Sequence, residues 1–356
     1  MTLIARYLIK QLSITTLYAM FALLALYSFF DIVAEVGGVG EGGYTGIKMM
    51  QYVLLQIPDH AYQMMPLAVL IGGLIALNRL AANSEMTVIK TSGMSTANII
   101  AILLGFGLIF AAATALLGES VAPAANRYAQ NLKTTAKNGK ISTGAQGLWI
   151  KEQNNIINVR EMLPDQSLRG IKVFRHDQNF KLAESWQAES AVIAADGSWK
   201  LTNVRRSILD GDRVRTEKHD GEYWQAGIRG SLLDVLLVNP NQMSLTALTA
   251  YIQHLEDNKQ QADSYKIEWW RKLMYPVATV VMALVALAFT PQSTRHGNMG
   301  LKLFAGICLG LAFHFAGRLF GFTSQLYGVP AFAAAMLPTA AFAAWAVWLI
   351  RKQERR

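Results

Sequence analysis

Three groups of residues in this 356-residue chain have types and spacings suited to chemistry. The first is a carboxylate in a short polar loop between two apolar runs, Asn83-Ser84-Glu85 through Lys90-Thr91-Ser92-Gly93. Ser84 is placed to cap a short helix, with Glu85 in its electropositive first turn and Gly93 as its stop. An exposed carboxylate on a short rigid helix suits docking against another protein. A tight connector between two spans is the plainer reading. The second group is Gly306, Gly310, His314 and Arg318, spaced by four along one helical face. Glycines there permit close approach of another helix. An ionisable side chain costs about 2.5–3.5 kcal/mol at mid-span on insertion scales. Arg318 therefore either snorkels to the surface or meets an anionic headgroup. The third group is cationic: Arg127 and Lys133 after one apolar run, Arg271 and Lys272 at the start of another, behind Trp269-Trp270. The tryptophans read as interface anchors. The cations point to an acidic partner, against the plainer reading of a solvated charged face.

No constellation for catalysis accompanies them. The chain has no G-x-x-x-x-G-K-[ST], no C-x-x-C, no H-E-x-x-H and no G-x-S-x-G. Its one cysteine, Cys308, lies in an apolar run, so no intrachain disulfide is possible. Net charge is +9, but no basic stripe interleaved with aromatics suggests nucleic acid. Energy for any work is expected from a partner; no cofactor is expected on this chain.

The elements that position these groups are set by hydropathy. The chain is 52% hydrophobic and 16% charged, with the apolar residues clustered. A spanning helix needs about 20 apolar residues. Six runs qualify: Leu12–Phe30, Ala61–Leu80, Asn98–Leu117, Lys272–Thr290, Leu303–Phe320 and Ala331–Ile350. Gly46–Ile57 reads as an interfacial stretch before the second. Arg6 and Lys10 precede the first run as in a signal peptide, but that run is too long for an h-region, so a retained helix is expected. Phe29 and Phe30 close it, followed by Asp31 and Glu35. Prolines Pro58, Pro66 and Pro338 are expected to act as kinks.

Roughly 150 polar residues separate the third and fourth runs. Asp196-Gly197, Asp210-Gly211 and Asp220-Gly221 read as hairpin turns. Leu148–Val159, Ile171–Leu182, Ser198–Leu209 and Arg213–Lys218 read as strands, suggesting a sandwich, roll or barrel. Over 244–262 the period becomes helical, with Leu245, Leu248, Tyr251, Ile252 and Leu255 on one face. The organisation expected is membrane helices 1–3 in residues 1–122, a β domain with a closing amphipathic helix in 123–268, and membrane helices 4–6 in 269–356. Basic loops alternate with the parity of the spans. Both termini and the Glu85 loop are thereby expected in the cytoplasm, and the β domain outside.

These features resemble a known family. The loop Ser84 to Ser95, Met243-Ser244-Leu245 through Tyr251-Ile252, and Trp269-Trp270-Arg271-Lys272 carry the likeness. So do Ala286-Leu287-Ala288-Phe289, Arg295, Gly297, Met299-Gly300, the stripe Gly306 to Arg318-Leu319-Phe320, and Tyr327-Gly328-Val329-Pro330. The chain is similar to the LptF/LptG lipopolysaccharide export permeases over nearly its whole length, and more to the LptG branch. The resemblance implies a bacterial inner-membrane location and a periplasmic domain folded as a jelly roll. It implies pairing with a paralogous permease LptF, a dimeric cytoplasmic ATPase LptB that uses the ATP, and a single-span LptC. Lipopolysaccharide would enter from the outer leaflet between the first span of one permease and the fifth of the other, and pass to a periplasmic bridge. On this reading Ser84, Glu85, Lys90 and Gly93 form the ATPase-coupling segment. Arg127, Lys133, Arg271, Lys272 and Arg318 are candidates for lipid A phosphates. Phe29, Phe30, Gly306, Gly310 and His314 belong to the gate and its packing. Some relatives carry basic residues near the outer end of the first span; here Ser28 to Gly37 holds none. The alternatives are a permease for another lipid or lipoprotein, an enzyme or binding module merely anchored by its helices, and a secondary transporter.

Overall fold

Six helices of the computed structural model are long and apolar enough to cross a membrane. The structure describes residues 3–137, 141–142, 148–162, 167–177, 181–193, 198–210, 213–225, 240–290 and 299–354. Helix α1 spans Leu3–Glu35 and α2 spans Gly46–Ala82. The short α3, Glu85–Thr91, leads into α4, Thr96–Leu116. A π-helical turn, Leu117–Val121, joins α4 to α5, Ala122–Ala136. After the β domain come α6 (Leu245–Asp257), α7 (Asp263–Ala288), α8 (Met299–Tyr327) and α9 (Ala331–Glu354).

Most of these helices run beyond the apolar cores read from sequence, because polar residues continue a helix once it leaves the apolar layer. Gly46–Ile57 is the first part of α2, and the helix passes through Pro58 and Pro66. Helix α2 is the centre of the bundle. Its Leu70, Leu74, Leu77 and Leu80 are buried among Phe106 of α4 and Met282, Val285 and Ala286 of α7. At Gly72 a Cβ would stand 2.5 Å from the Thr16 backbone nitrogen and closer still to its Cα. Here α1 and α2 touch backbone to backbone, and Thr15 Oγ1 donates to Gly72 O at 2.8 Å.

The inserted domain is an antiparallel sheet: β1 Ile141–Ser142, β2 Leu148–Glu152, β3 Asn155–Met162, β4 Leu168–His176, β5 Leu182–Ile193, β6 Trp199–Asp210 and β7 Arg213–Trp224. From β3 to β7 each strand pairs with the next, while β1 and β2 both pair with β3. The all-β character matches the sequence reading; these pairings do not by themselves define a jelly roll. Three local expectations are corrected. Ile171–Leu182 is not one strand: β4 ends at His176, and Leu182 opens the next strand as its antiparallel partner. Leu148–Val159 is not one strand but a hairpin turning at Gln153-Asn154, with Gln153 at φ 48°. Asp220-Gly221 is no turn: Gly221 lies opposite Thr202 within the β6–β7 ladder. The other two turn pairs fall wholly or partly outside the described residues, as do Arg295 and Gly297.

Alternating residues bury one face of the sheet, as a half-covered antiparallel sheet requires. Ile157, Val159, Ile171, Val173, Trp199, Leu201 and Val204 lie in that core, and the Trp224 ring meets Trp186 and Trp199 edge-on at 5.8 and 5.6 Å. At the core's edge Arg206 Nη2 donates to both oxygens of Glu184, at 3.0 and 3.1 Å, and Trp186 Nε1 donates at 3.1 Å. Burial pushes the Glu184 carboxyl up, but those hydrogen bonds and the charges of Arg206 and Arg175 outweigh it and hold it below the usual range. A carboxyl depressed by folding contributes stability that is complete above its unfolded pKa and disappears as pH falls through its folded one. Glu184→Gln is therefore expected to destabilise the domain by about 1–3 kcal/mol at neutral pH. The gap from wild type should persist down to about pH 4.3 and close below it. Thermal unfolding from pH 7 to pH 3 measures both.

Candidate functional site: a polar-end helix and a cation-lined cavity

Helix α3 lies at the end of the bundle opposite the β domain. Met86 and Ile89 are buried and fasten it, while Val88 and Lys90 are exposed. Gly93 takes φ +91°, a left-handed residue just past the helix end, as a stop requires. Ser84 does not cap. It occupies the N-cap position at φ 62° and its side chain makes no capping bond. The Glu85 carboxylate instead accepts from Tyr7 Oη of α1 at 2.7 Å and from Asn83 Nδ2 at 3.2 Å. Those bonds hold it below the usual carboxylate range, so it is an anion at neutral pH.

On the β-domain side, α2, α7, α8 and α9 enclose a half-open cavity of about 440 Å³. Arg271, Lys272, His314 and Arg318 all line it, together with Glu268, Tyr62 and Tyr275. The structure thus brings together residues that lie 42 to 47 positions apart in sequence. Their charges are not equally available. Arg271 donates to Glu268 at 2.6 Å and to Gly317 O at 3.0 Å. Lys272 is buried, donates to Met243 O, and lies over the Tyr62 ring. Arg318 is exposed and has no hydrogen bond or ion pair among the described residues.

Arg127 and Lys133 do not line this cavity. They lie on α5, where Arg127 is exposed. Lys133 is bonded to Glu35 of α1 at 2.6 Å and lies over the Tyr52 ring. Asp31 pairs with His60 at 2.6 Å and Glu41 with Lys137 at 2.7 Å. The acidic end of α1 and the turn after it are therefore tied to His60 of α2 and to two lysines at the end of α5. In the sequence Asp31 and Glu35 mark only the end of an apolar run, since partners 29 and 98 residues away leave no local signal.

Gly306 and Gly310 turn inward: a Cβ at Gly306 would run into Leu74, and one at Gly310 into Leu67. The stripe seats α8 on α2 within this chain. One face of α8 is uncovered, with Phe304, Phe315, Leu319, Phe322 and Leu326 all more than 60% exposed. Helix α1 is likewise uncovered at Leu17, Tyr18, Phe21, Phe29 and Phe30, and the last two rings meet edge-on at 5.8 Å. These are the two least buried spans.

Comparison with known proteins fits this architecture. The model of the family "Lipopolysaccharide export system permease LptF/LptG" matches residues 6–352. The lipopolysaccharide export system permease protein LptG of Escherichia coli (strain K12) is 28% identical over 351 residues, covering 98% of each chain. LptG of Haemophilus influenzae is 28% identical over 350 residues, again 98% of each. LptF of Escherichia coli (strain K12) is 26% identical over 219 residues, 60% of this chain and 56% of that protein. The match runs nearly end to end over six spans and an inserted sheet, and the chain belongs to the LptF/LptG family of lipopolysaccharide export permeases, as an LptG-like transport subunit.

Proposed function

We propose that this permease takes lipopolysaccharide laterally from the outer leaflet of the bacterial inner membrane and passes it, through its β domain, to a periplasmic bridge. Both termini and α3 lie in the cytoplasm, as the loop charges indicate, and the β domain, of jelly-roll type, lies in the periplasm. The chain pairs with LptF, docks through α3 on a dimeric LptB that hydrolyses the ATP, and works with the single-span LptC. Glu85 and Lys90 contact the ATPase, with Ser84 and Gly93 shaping the turn into and out of the helix.

The observation that carries this reading is the exposure of α1 and α8. An apolar, aromatic-rich face left open on two spans suits acyl chains and a partner permease. On α8 itself, Arg318 lines the cationic cavity with no hydrogen bond or ion pair among the described residues, and its exposed guanidinium suits a phosphate, held by short charge-assisted bonds. Arg271, Lys272, Arg127 and Lys133 belong to the same cationic rim. Because Arg318, unlike Arg271 and Lys272, has no hydrogen bond or ion pair among the described residues to give up, Arg318→Ala is expected to weaken substrate capture most among these three cavity cations, by roughly 5- to 50-fold. Photocrosslinking of lipopolysaccharide from Phe30 and Phe315 measures it. Full retention of the crosslink after neutralising all five cations would reject the assignment.

A further inference from the structure

Helix α6 is fastened at both ends, to different parts of the molecule. At its start the Glu119 carboxylate accepts from the Leu245 N–H at 2.8 Å and from the N–H and Oγ1 of Thr246 at 3.4 Å. Glu119 stands in the π-helical turn between α4 and α5, a distortion that recurs at functional positions. Lys272 of α7 donates to Met243 O, just before the N-cap Ser244, and Trp269 Nε1 donates to Thr249 Oγ1 at 2.9 Å. At its far end the buried Asn258 accepts through Oδ1 from the Gln153 N–H at 2.6 Å, while its Nδ2 donates to His254 O at 2.8 Å. Gln153 is the left-handed residue of the β2–β3 turn. Asn258 lies thirteen positions after Leu245, roughly 20 Å along the helix.

We propose that α6 is a strut that moves the β domain when the membrane helices move, with Glu119 and Asn258 as its positioning residues. A helix bonded at one end can swing; one bonded at both ends transmits displacement. The bonds at the two ends suit that use. Those to Glu119 are charge-assisted and converge on consecutive backbone N–H groups, and that to Asn258 is short and made by a buried side chain whose amide is held at its other end by His254 O. The proposal rests on the transport reading above, because it assigns α6 the step between loading at the membrane and transfer to the sheet.

The test uses the whole complex with its ATPase, in vesicles containing lipopolysaccharide, with photocrosslinking residues at Phe30 and, on the sheet's apolar face, at Ala188. Asn258→Ala and Glu119→Ala are expected to keep ATP hydrolysis within about twofold and to keep the Phe30 crosslink, while the Ala188 crosslink falls about tenfold. Asn258→Asp and Glu119→Gln, which retain an acceptor, are expected to restore it; a merely structural loss would lower both crosslinks and the protein level together. An unchanged Ala188 crosslink, or a parallel fall of both, overturns the proposal. Hydrogen exchange on the wild-type complex gives a second test that needs no variant. The amides of Gln153 and Leu245 are expected to stay protected in the nucleotide-free and ATP-bound states alike, and free exchange at either end in one state overturns the strut. Absence of the Phe30 crosslink in the wild type would instead strike the transport reading itself.

Discussion

Gly72→Val is expected to remove most of the folded protein from the membrane. A side chain at this position meets Thr16 backbone atoms on α1, and these cannot rotate away as the tip of a side chain can. Overpacking a close-fitted core costs about 1–3 kcal/mol, and displacing α1 also breaks the bond from Thr15 Oγ1 to Gly72 O, worth about 1 kcal/mol. The sum is a large part of the few kcal/mol that hold a domain folded. Gly105→Val is the control, because a Cβ there meets nothing within 4 Å. Steady-state level and thermal midpoint in detergent should fall sharply for the first and stay near wild type for the second. Equal behaviour of the two would mean that α1 and α2 do not meet as the structure has them.

Glu85→Lys is expected to abolish transport while leaving the permease folded. Helix α3 is held by Met86 and Ile89, neither of which the substitution touches. It reverses the charge of a carboxylate that stays ionised at neutral pH, and placing like charges together at a protein contact costs several kcal/mol. A loss of at least about tenfold in ATP-driven release follows. The rival account is that Glu85 only ties α1 to α3 through Tyr7. Tyr7→Phe separates the two, since it removes the donated bond and leaves the charge. If Glu85 docks on the ATPase, Tyr7→Phe stays within a few-fold of wild type and Glu85→Lys does not. Matching losses in both, with the ATPase still bound, would reduce Glu85 to an internal tie.

Much of this molecule is legible in its sequence, and the reason is physical. An apolar layer imposes a length on each span and forbids unsatisfied backbone within it, so six spans and an inserted domain follow from hydropathy. The amphipathic helix was legible because Leu248, Tyr251 and Leu255 keep one face, and all three are buried. Turn chemistry was less dependable. Asp220-Gly221 has the composition of a hairpin turn, yet a twelve-residue partner strand carries the ladder straight past it. Ser84 has the residue type of a cap but a left-handed backbone that takes its hydroxyl out of reach.

At the site, the cations could be named but not their commitments. Nothing near Lys133 announces Glu35, and nothing near Lys272 announces the Met243 carbonyl, because both partners come from elements distant in sequence. Gly72 was hidden among apolar neighbours, where a glycine gives no sign of what it must approach. Glu119 did leave a trace, a lone carboxylate at the end of the third apolar run, but its partner turn at Leu245 lies 126 residues on.

The most direct test of the transport account is to deplete this protein in its native cell and follow newly made lipopolysaccharide. The account predicts that it accumulates in the inner membrane while lipoprotein sorting continues, and that wild-type protein restores delivery where Glu85→Lys does not. Normal arrival of lipopolysaccharide at the cell surface after depletion would contradict it.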